Sequence, residues 1–142
     1  MSYDFFGLRG IALLRFLPGG VDCFADETGH GAGQGTNRNI PLPPRSGDER
    51  WLTALDELVD MAAEFGADAL VVSLGVDSAA DDPESPLRLT QDGIRASGIL
   101  LGRMGLPTVA VQEGGYHLPS LGSLVAACLS GLAEGAARAL AR

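Results

Sequence analysis

Residues 69–77 read ALVVSLGVD. The run Leu70, Val71, Val72, Ser73, Leu74 is apolar and partly β-branched, and Gly75 closes it, the pattern of a strand buried on both faces of a parallel sheet. Asp77 follows just past the strand's carboxyl end. Ligands and catalytic groups of open α/β sheets collect at that edge, so Asp77 is a site candidate by position alone. A second run repeats the arrangement, with Thr108 to Gln112 as the strand and Glu113-Gly114-Gly115-Tyr116 as the loop after it. Between the two, Thr90 caps a predicted helix with Ile94, Ser97, Leu100, Leu101 and Met104 on its inner face. Gly93, Gly98 and Gly102 weaken that helix by propensity, and Gly105 and Pro107 stop it. Strand, helix and strand form a βαβ unit with parallel strands. The unit delivers Asp77 and Tyr116 to the same edge of one sheet.

Upstream, Trp51, Leu52, Leu55, Leu58, Val59, Ala62 and Phe65 recur at helical spacing, with Ser46-Gly47-Asp48 as the cap and Gly66 as the stop. Before them, Asn37 to Leu42 read as a strand that runs into a proline-rich turn over residues 41–47. Residues 21–35 form a glycine-rich loop. Its Gly31-x-Gly33-x-Gly35 spacing is not a dinucleotide fingerprint, because no strand leads in and no helix follows. Residues 10–17 read as a strand or one helical turn, ended by Pro18-Gly19-Gly20. Downstream, Pro119-Ser120 opens a last helix with Leu121, Leu124, Val125, Cys128 and Leu129 at core spacing and an alanine-rich tail. There is no internal repeat, and residues 20–142 are expected to form one unit behind an unassigned segment, 1–19.

Composition narrows the function. The chain has 142 residues, 46% of them hydrophobic, enough for a real core. Ten basic residues, all arginine, oppose 18 acidic ones for a formal charge of -8. Such a surface does not suit nucleic acid, whose binders carry a basic patch, and it attracts cationic substrates. Cys23 and Cys128 lie far apart in no metal or redox spacing and read as free thiols in a reducing compartment. No secretory signal fits residues 1–18. Their apolar patch is interrupted by Arg15 and falls short of the roughly 18 residues of a membrane span, so the expectation is a cytoplasmic protein with no membrane partner.

Few residues can carry chemistry. Asp77 can serve as metal ligand, general base or an Asx turn that ends the strand. Asp81 and Asp82 can bind a hard cation or form a solvated acidic turn before Pro83. Tyr116 follows two glycines that let the backbone turn sharply, so its phenol can donate to a developing oxyanion or cap a neighbouring loop. His30 and His117 are the only histidines, distant in sequence and without ligand spacing. A serine nucleophile lacks its Gly-x-Ser-x-Gly elbow, since Ser97-Gly98 and Gly122-Ser123 fall inside helices. A phosphate loop lacks its lysine, because the chain has none.

Taken together, residues 68–77, Asp82-Pro83, Leu89-Thr90 and Val111-Gln112-Glu113-Gly114-Gly115-Tyr116 resemble the C-terminal half of the histone deacetylase superfamily. Its acetylpolyamine amidohydrolase-like branch is the more similar. Phe24-Ala25-Asp26-Glu27-Thr28-Gly29 and the segment from Gly35 to Pro43 resemble the family's lead into this half, so the likeness covers residues 20–132. It implies a three-layer α/β/α fold with a mostly parallel sheet, a partial arginase/deacetylase-type fold, and zinc-dependent removal of acetyl groups from amines. By position in the motifs, Asp77 matches an aspartate ligand of the zinc and Tyr116 the tyrosine that hydrogen-bonds the substrate carbonyl. Pro83 and Glu84 match the pocket rim, and Gly114 and Gly115 the acyl-lysine tunnel.

The family's tandem histidines and its Asp-x-His ligand pair have no counterpart here. The expectation is therefore a truncated or split amidohydrolase, incomplete as an isolated chain. Zinc would bind only if a partner chain supplies the remaining ligands, because a catalytic zinc takes three. That partner would be another copy or a separately encoded N-terminal half, and the acidic rim of Asp81, Asp82 and Glu84 would draw a cationic acetylated amine. Two alternatives stand beside this: a non-catalytic remnant used for oligomerisation or partner binding, and a ligand set of His30, His117 and Asp77 assembled across a dimer.

Overall fold

The elements follow the chain as β1 (Leu13–Pro18), β2 (Asn37–Leu42), α1 (Asp48–Phe65), β3 (Leu70–Leu74), α2 (Gln91–Gly102), β4 (Thr108–Gln112) and α3 (Leu118–Leu140), with a short 3-10 turn at Gly31–Gly33. The structure, a computed structural model, describes the backbone of Leu13–Pro18 and residues 26–141. Cys23 lies outside the described residues. Strands β2, β3 and β4 occupy the expected runs, and the ambiguous stretch near residues 10–17 resolves as strand β1. Both β1 with β2 and β3 with β4 pair in parallel, the latter from Leu70↔Thr108 to Leu74↔Gln112. The fold is α/β, as expected. The described strands nevertheless make two parallel pairs rather than one continuous sheet. Side chains from both regions meet in a shared core, where Leu42 joins Leu74, Val76, Leu87, Leu89, Ile94, Leu124 and Cys128.

Burial corrects the reading of β3. It is covered on one face only: Val72 and Ala110 pack on the core, whereas Val71, Val109 and Val111 are 73%, 60% and 47% exposed. Residues paired across parallel strands share a face, so Val71 and its partner Val109 are open together. An apolar run looks the same in sequence whether one face or both are covered.

The glycines that weaken α2 are what let it meet α3. A Cβ on Gly98 would collide with the Cys128 carbonyl and stand 2.9 Å from Leu132 N. One on Gly102 would stand 2.9 Å from Ala136 N, and α3 returns the fit: a Cβ on Gly131 would stand 3.0 Å from Ile99 N and one on Gly135 2.9 Å from Arg103 N. Backbone thus packs on backbone, the arrangement small residues allow. The inner face of α2 is accordingly Gly93, Ile94, Ser97, Gly98 and Gly102, while Leu100 and Leu101 are half-buried and Met104 lies beyond the helix. On α3, Leu124 and Cys128 are buried as expected, but Leu129 is exposed. By length and composition alone α3 is long and apolar enough to cross a membrane. Here Leu124, Ala127, Cys128, Gly131 and Gly135 are buried, whereas Leu118, Leu129 and Leu140 are exposed. Burial pushes the Cys128 thiol above its ordinary pKa, which leaves it poorly reactive.

Helix ends tie the layers together. Gly47 is the N-cap of α1, with Trp51 N donating to its carbonyl at 3.1 Å, and Gly66 at φ 72° closes it. Ser46 does not cap the helix; its hydroxyl donates to Pro43 O at 2.7 Å and closes the turn before it. Asp48 reaches instead to α2, accepting from Thr90 N at 2.8 Å and Thr90 Oγ1 at 2.6 Å. Thr90 in turn accepts from Gly93 N at 3.2 Å, the expected cap. Trp51 Nε1 adds a second link, donating to Ser97 Oγ at 2.8 Å.

Candidate active site

Because β3 and β4 run parallel and in register, their carboxyl ends open at one edge. The ladder continues into the loops beyond, with Glu113 N donating to Leu74 O at 3.0 Å and Val76 N to Gly114 O at 2.9 Å. Asp77 sits where these loops touch. A Cβ on Gly75 would stand 2.7 Å from Asp77 Oδ1, and one on Gly114 would stand 2.9 Å from both carboxylate oxygens. The carboxylate thus occupies a cradle that only glycines leave open. It is exposed and has no hydrogen bond or ion pair among the described residues. The turn it sits in is closed by backbone, Ala79 N donating to Val76 O at 3.1 Å, so the Asx-turn reading does not hold.

Gly115 follows at φ 137°, a conformation open to glycine, and its α-carbon faces the core: a Cβ would meet Val76 Cγ2 at 2.7 Å and Leu121 Cδ1 at 2.8 Å. The chain then emerges at Tyr116, a residue that is 60% exposed and whose phenol has no partner among the described residues. A tyrosine that capped a neighbouring loop would show such a bond. Asp77, Gly114, Gly115 and Tyr116 therefore come together at one edge.

Asp82, expected in a solvated acidic rim, is instead buried, which corrects that expectation. Its residue is 7% exposed. Its Oδ2 accepts from Tyr116 N at 2.6 Å and His117 N at 3.2 Å, and its Oδ1 from Glu84 N at 3.0 Å. Burial alone would raise its pKa, but these donors and the charge of a protonated His117 outweigh it, and the carboxyl is held below the usual 3.8. Pro83 and Glu84 are exposed on the same turn, and Asp81 is exposed beside them, so the rim is Asp81 and Glu84. His117 Nδ1 lies 2.9 Å from Ser120 Oγ and 3.1 Å from Asp81 Oδ2, not at Asp77. His30 stands exposed at the start of the 3-10 turn. The described residues do not bring His30, His117 and Asp77 together within the chain.

The depressed pKa has a pH consequence. Unfolded, Asp82 titrates near 3.8; folded, it titrates lower. Its stabilising contribution is therefore whole above the unfolded value and lost as pH falls through the folded one. Urea midpoints measured from pH 6 downward should drop steeply below about pH 4, and Asp82→Asn should flatten that part of the curve. An unchanged slope would show that Asp82 is not held as a paired carboxylate.

Zinc requires more than the cradle offers. Among the described residues no three His, Cys, Asp or Glu side chains gather as a metal-binding group, and a catalytic zinc takes three protein ligands. Asp77 supplies one carboxylate, so these residues alone do not fit the ion.

Comparison with known proteins places this architecture. Residues 14–132 match the Histone deacetylase domain family. Acetylpolyamine amidohydrolase 1 of Pseudomonas aeruginosa is 44% identical over 115 residues, covering 81% of this chain and 33% of its own length. The acetylpolyamine amidohydrolase of Burkholderia pseudomallei is 45% identical over 107 residues, 75% of this chain and 31% of its own. A crystal structure of the acetylpolyamine aminohydrolase of Burkholderia pseudomallei superimposes with a TM-score of 0.84 at 36% identity, over 89% of this chain and 39% of that one. The chain thus spans about a third of the length of the curated relatives it matches. With this fold, edge and motif order, the chain belongs to the histone deacetylase family, in its acetylpolyamine amidohydrolase branch.

Proposed function

We propose that this chain supplies the aspartate and tyrosine part of a site that hydrolyses acetylated amines, of the acetylpolyamine or acetyl-lysine class, to acetate and the free amine. The observation that carries the reading is the carboxylate of Asp77, without a partner among the described residues and cradled by Gly75 and Gly114 beside the loop of Tyr116. Asp77 contributes one ligand toward zinc. Tyr116 donates its phenolic hydrogen to the amide carbonyl and, more strongly, to the oxyanion that forms as water adds. Gly114, against the Asp77 carboxylate, lines the path of the acyl chain, Gly115 turns the loop with its α-carbon to the core, and Pro83, Glu84 and Asp81 form a rim whose charge favours a cationic amine.

The ligands missing from the described residues must come from elsewhere, and a partner chain that brings them is part of this proposal. The open face of Val71, Val109 and Val111 supports this, since apolar strand faces are seldom left to water. The partner of choice is a separately encoded chain that carries the missing histidine ligands; self-association is the other outcome. The same open face favours one further reading, a non-catalytic oligomerisation or partner-binding module, which predicts assembly without turnover.

The test is a graft. Residues 14–132 replace the matching segment of the Pseudomonas aeruginosa acetylpolyamine amidohydrolase 1, and release of acetate from an N-acetylated diamine is followed. Hydrolysis supports the assignment. A folded, inactive graft would favour the non-catalytic module.

A further inference from the structure

The tyrosine loop is held by a residue outside the motif that carries the tyrosine. Asp82 stands 34 residues before Tyr116, yet one oxygen of its buried carboxylate receives two successive backbone N–H groups of that loop, Tyr116 at 2.6 Å and His117 at 3.2 Å. The other oxygen receives Glu84 N at 3.0 Å. Asp82 itself is fixed from the side of β3, because its N–H donates to Ala79 O at 3.2 Å, in the turn that begins at Val76. One carboxylate therefore clamps the loop after β4 to the loop after β3, the two loops that carry Tyr116 and Asp77. An N–H pair on a carboxylate is a charge-assisted contact, stronger than the neutral bonds between the loops.

We propose that Asp82 is the positioning residue for Tyr116: by accepting the Tyr116 and His117 N–H groups it sets where the tyrosine leaves the backbone relative to Asp77. Gly115 cannot do this. Its φ of 137° gives the loop its turn, but it has no side chain to reach across to the loop after β3. Nor does the phenol hold itself, having no partner among the described residues. The inference rests on the reading of Tyr116 as the donor to the oxyanion. A misplacement of about 1 Å can cost ~10²-fold in rate, so an anchor one bond from the donor's own backbone has catalytic weight.

The test separates anchoring from that reading. Amide hydrogen exchange by NMR on the full chain should show the Tyr116 and His117 amides protected, although both lie in a loop with an exposed side chain next to them. Asp82→Asn should speed exchange at those two amides by about tenfold or more while leaving the ladder amides of β3 and β4 within about twofold. In the graft, the same substitution should lower kcat and leave KM nearly unchanged, and should add little to Tyr116→Phe, because it acts through the tyrosine. Free exchange of both amides in the wild-type chain would overturn the proposal, and that result needs no variant to fold. So would equal loss of protection throughout β3 and β4, or an Asp82→Asn effect on kcat as large in the Tyr116→Phe background as in the wild type. If the graft hydrolyses nothing, the role of Tyr116 fails while the amide protection still reports the clamp.

Discussion

Replacing Tyr116 by Phe in the graft is expected to lower kcat by about 10²–10³-fold with KM changed little. In the proposed role the phenol would meet the substrate carbonyl in both states, but charge on the oxygen grows as the tetrahedral centre forms, and a donor is worth most where that charge is largest. The loop is built without help from the hydroxyl, which has no partner among the described residues. Its removal should therefore leave the fold alone, with an unchanged urea midpoint. Steady-state kinetics on the acetylated diamine give the answer, and a kcat within twofold of wild type would remove Tyr116 from the chemistry.

The second large effect is on stability. Alanine is favoured over glycine inside a helix by about 1 kcal/mol, so propensity alone says Gly98→Ala should stabilise. The packing says the reverse: a Cβ there would strike the Cys128 carbonyl and lie 2.9 Å from Leu132 N, backbone atoms of α3 that cannot swing aside. Overpacking of this kind costs about 1–3 kcal/mol or more, and the helices must part to admit the methyl, so we expect a net loss of about 2 kcal/mol. Gly122→Ala is the internal control. It lies in α3, exposed, with nothing within 4 Å of the added Cβ, and should gain about 0.5–1 kcal/mol. Urea unfolding of the two variants should move in opposite directions. Equal shifts would mean that α2 and α3 do not meet through their glycines.

These two cases show what was legible in the chain. The strands β3 and β4 were, because each is a short apolar run closed by Gly75 or by Gly114-Gly115, and two such runs around a helix leave little topological choice. Asp77 and Tyr116 were placed at one edge by the same reasoning. Asp82 was not, because its partners lie 34 and 35 residues away and an Asp-Pro turn looks solvated when read locally. The exposure of Val71 was hidden as well: whether a face is covered depends on what stands opposite, which is not encoded in the run itself. The glycines of α2, read locally, show a cost in propensity. Their i, i+4 spacing, repeated in Gly131 and Gly135, was the signal of a close helix pair.

The most direct test of Asp77 is the zinc content of the purified graft, read beside its turnover. Wild-type graft should retain close to one zinc per chain and hydrolyse the acetylated diamine, and Asp77→Ala should lose both, since a three-ligand site deprived of one ligand loses most of its affinity. A folded Asp77→Ala graft that keeps its zinc and its turnover would show that the cradle of Gly75 and Gly114 holds a carboxylate with no part in the site.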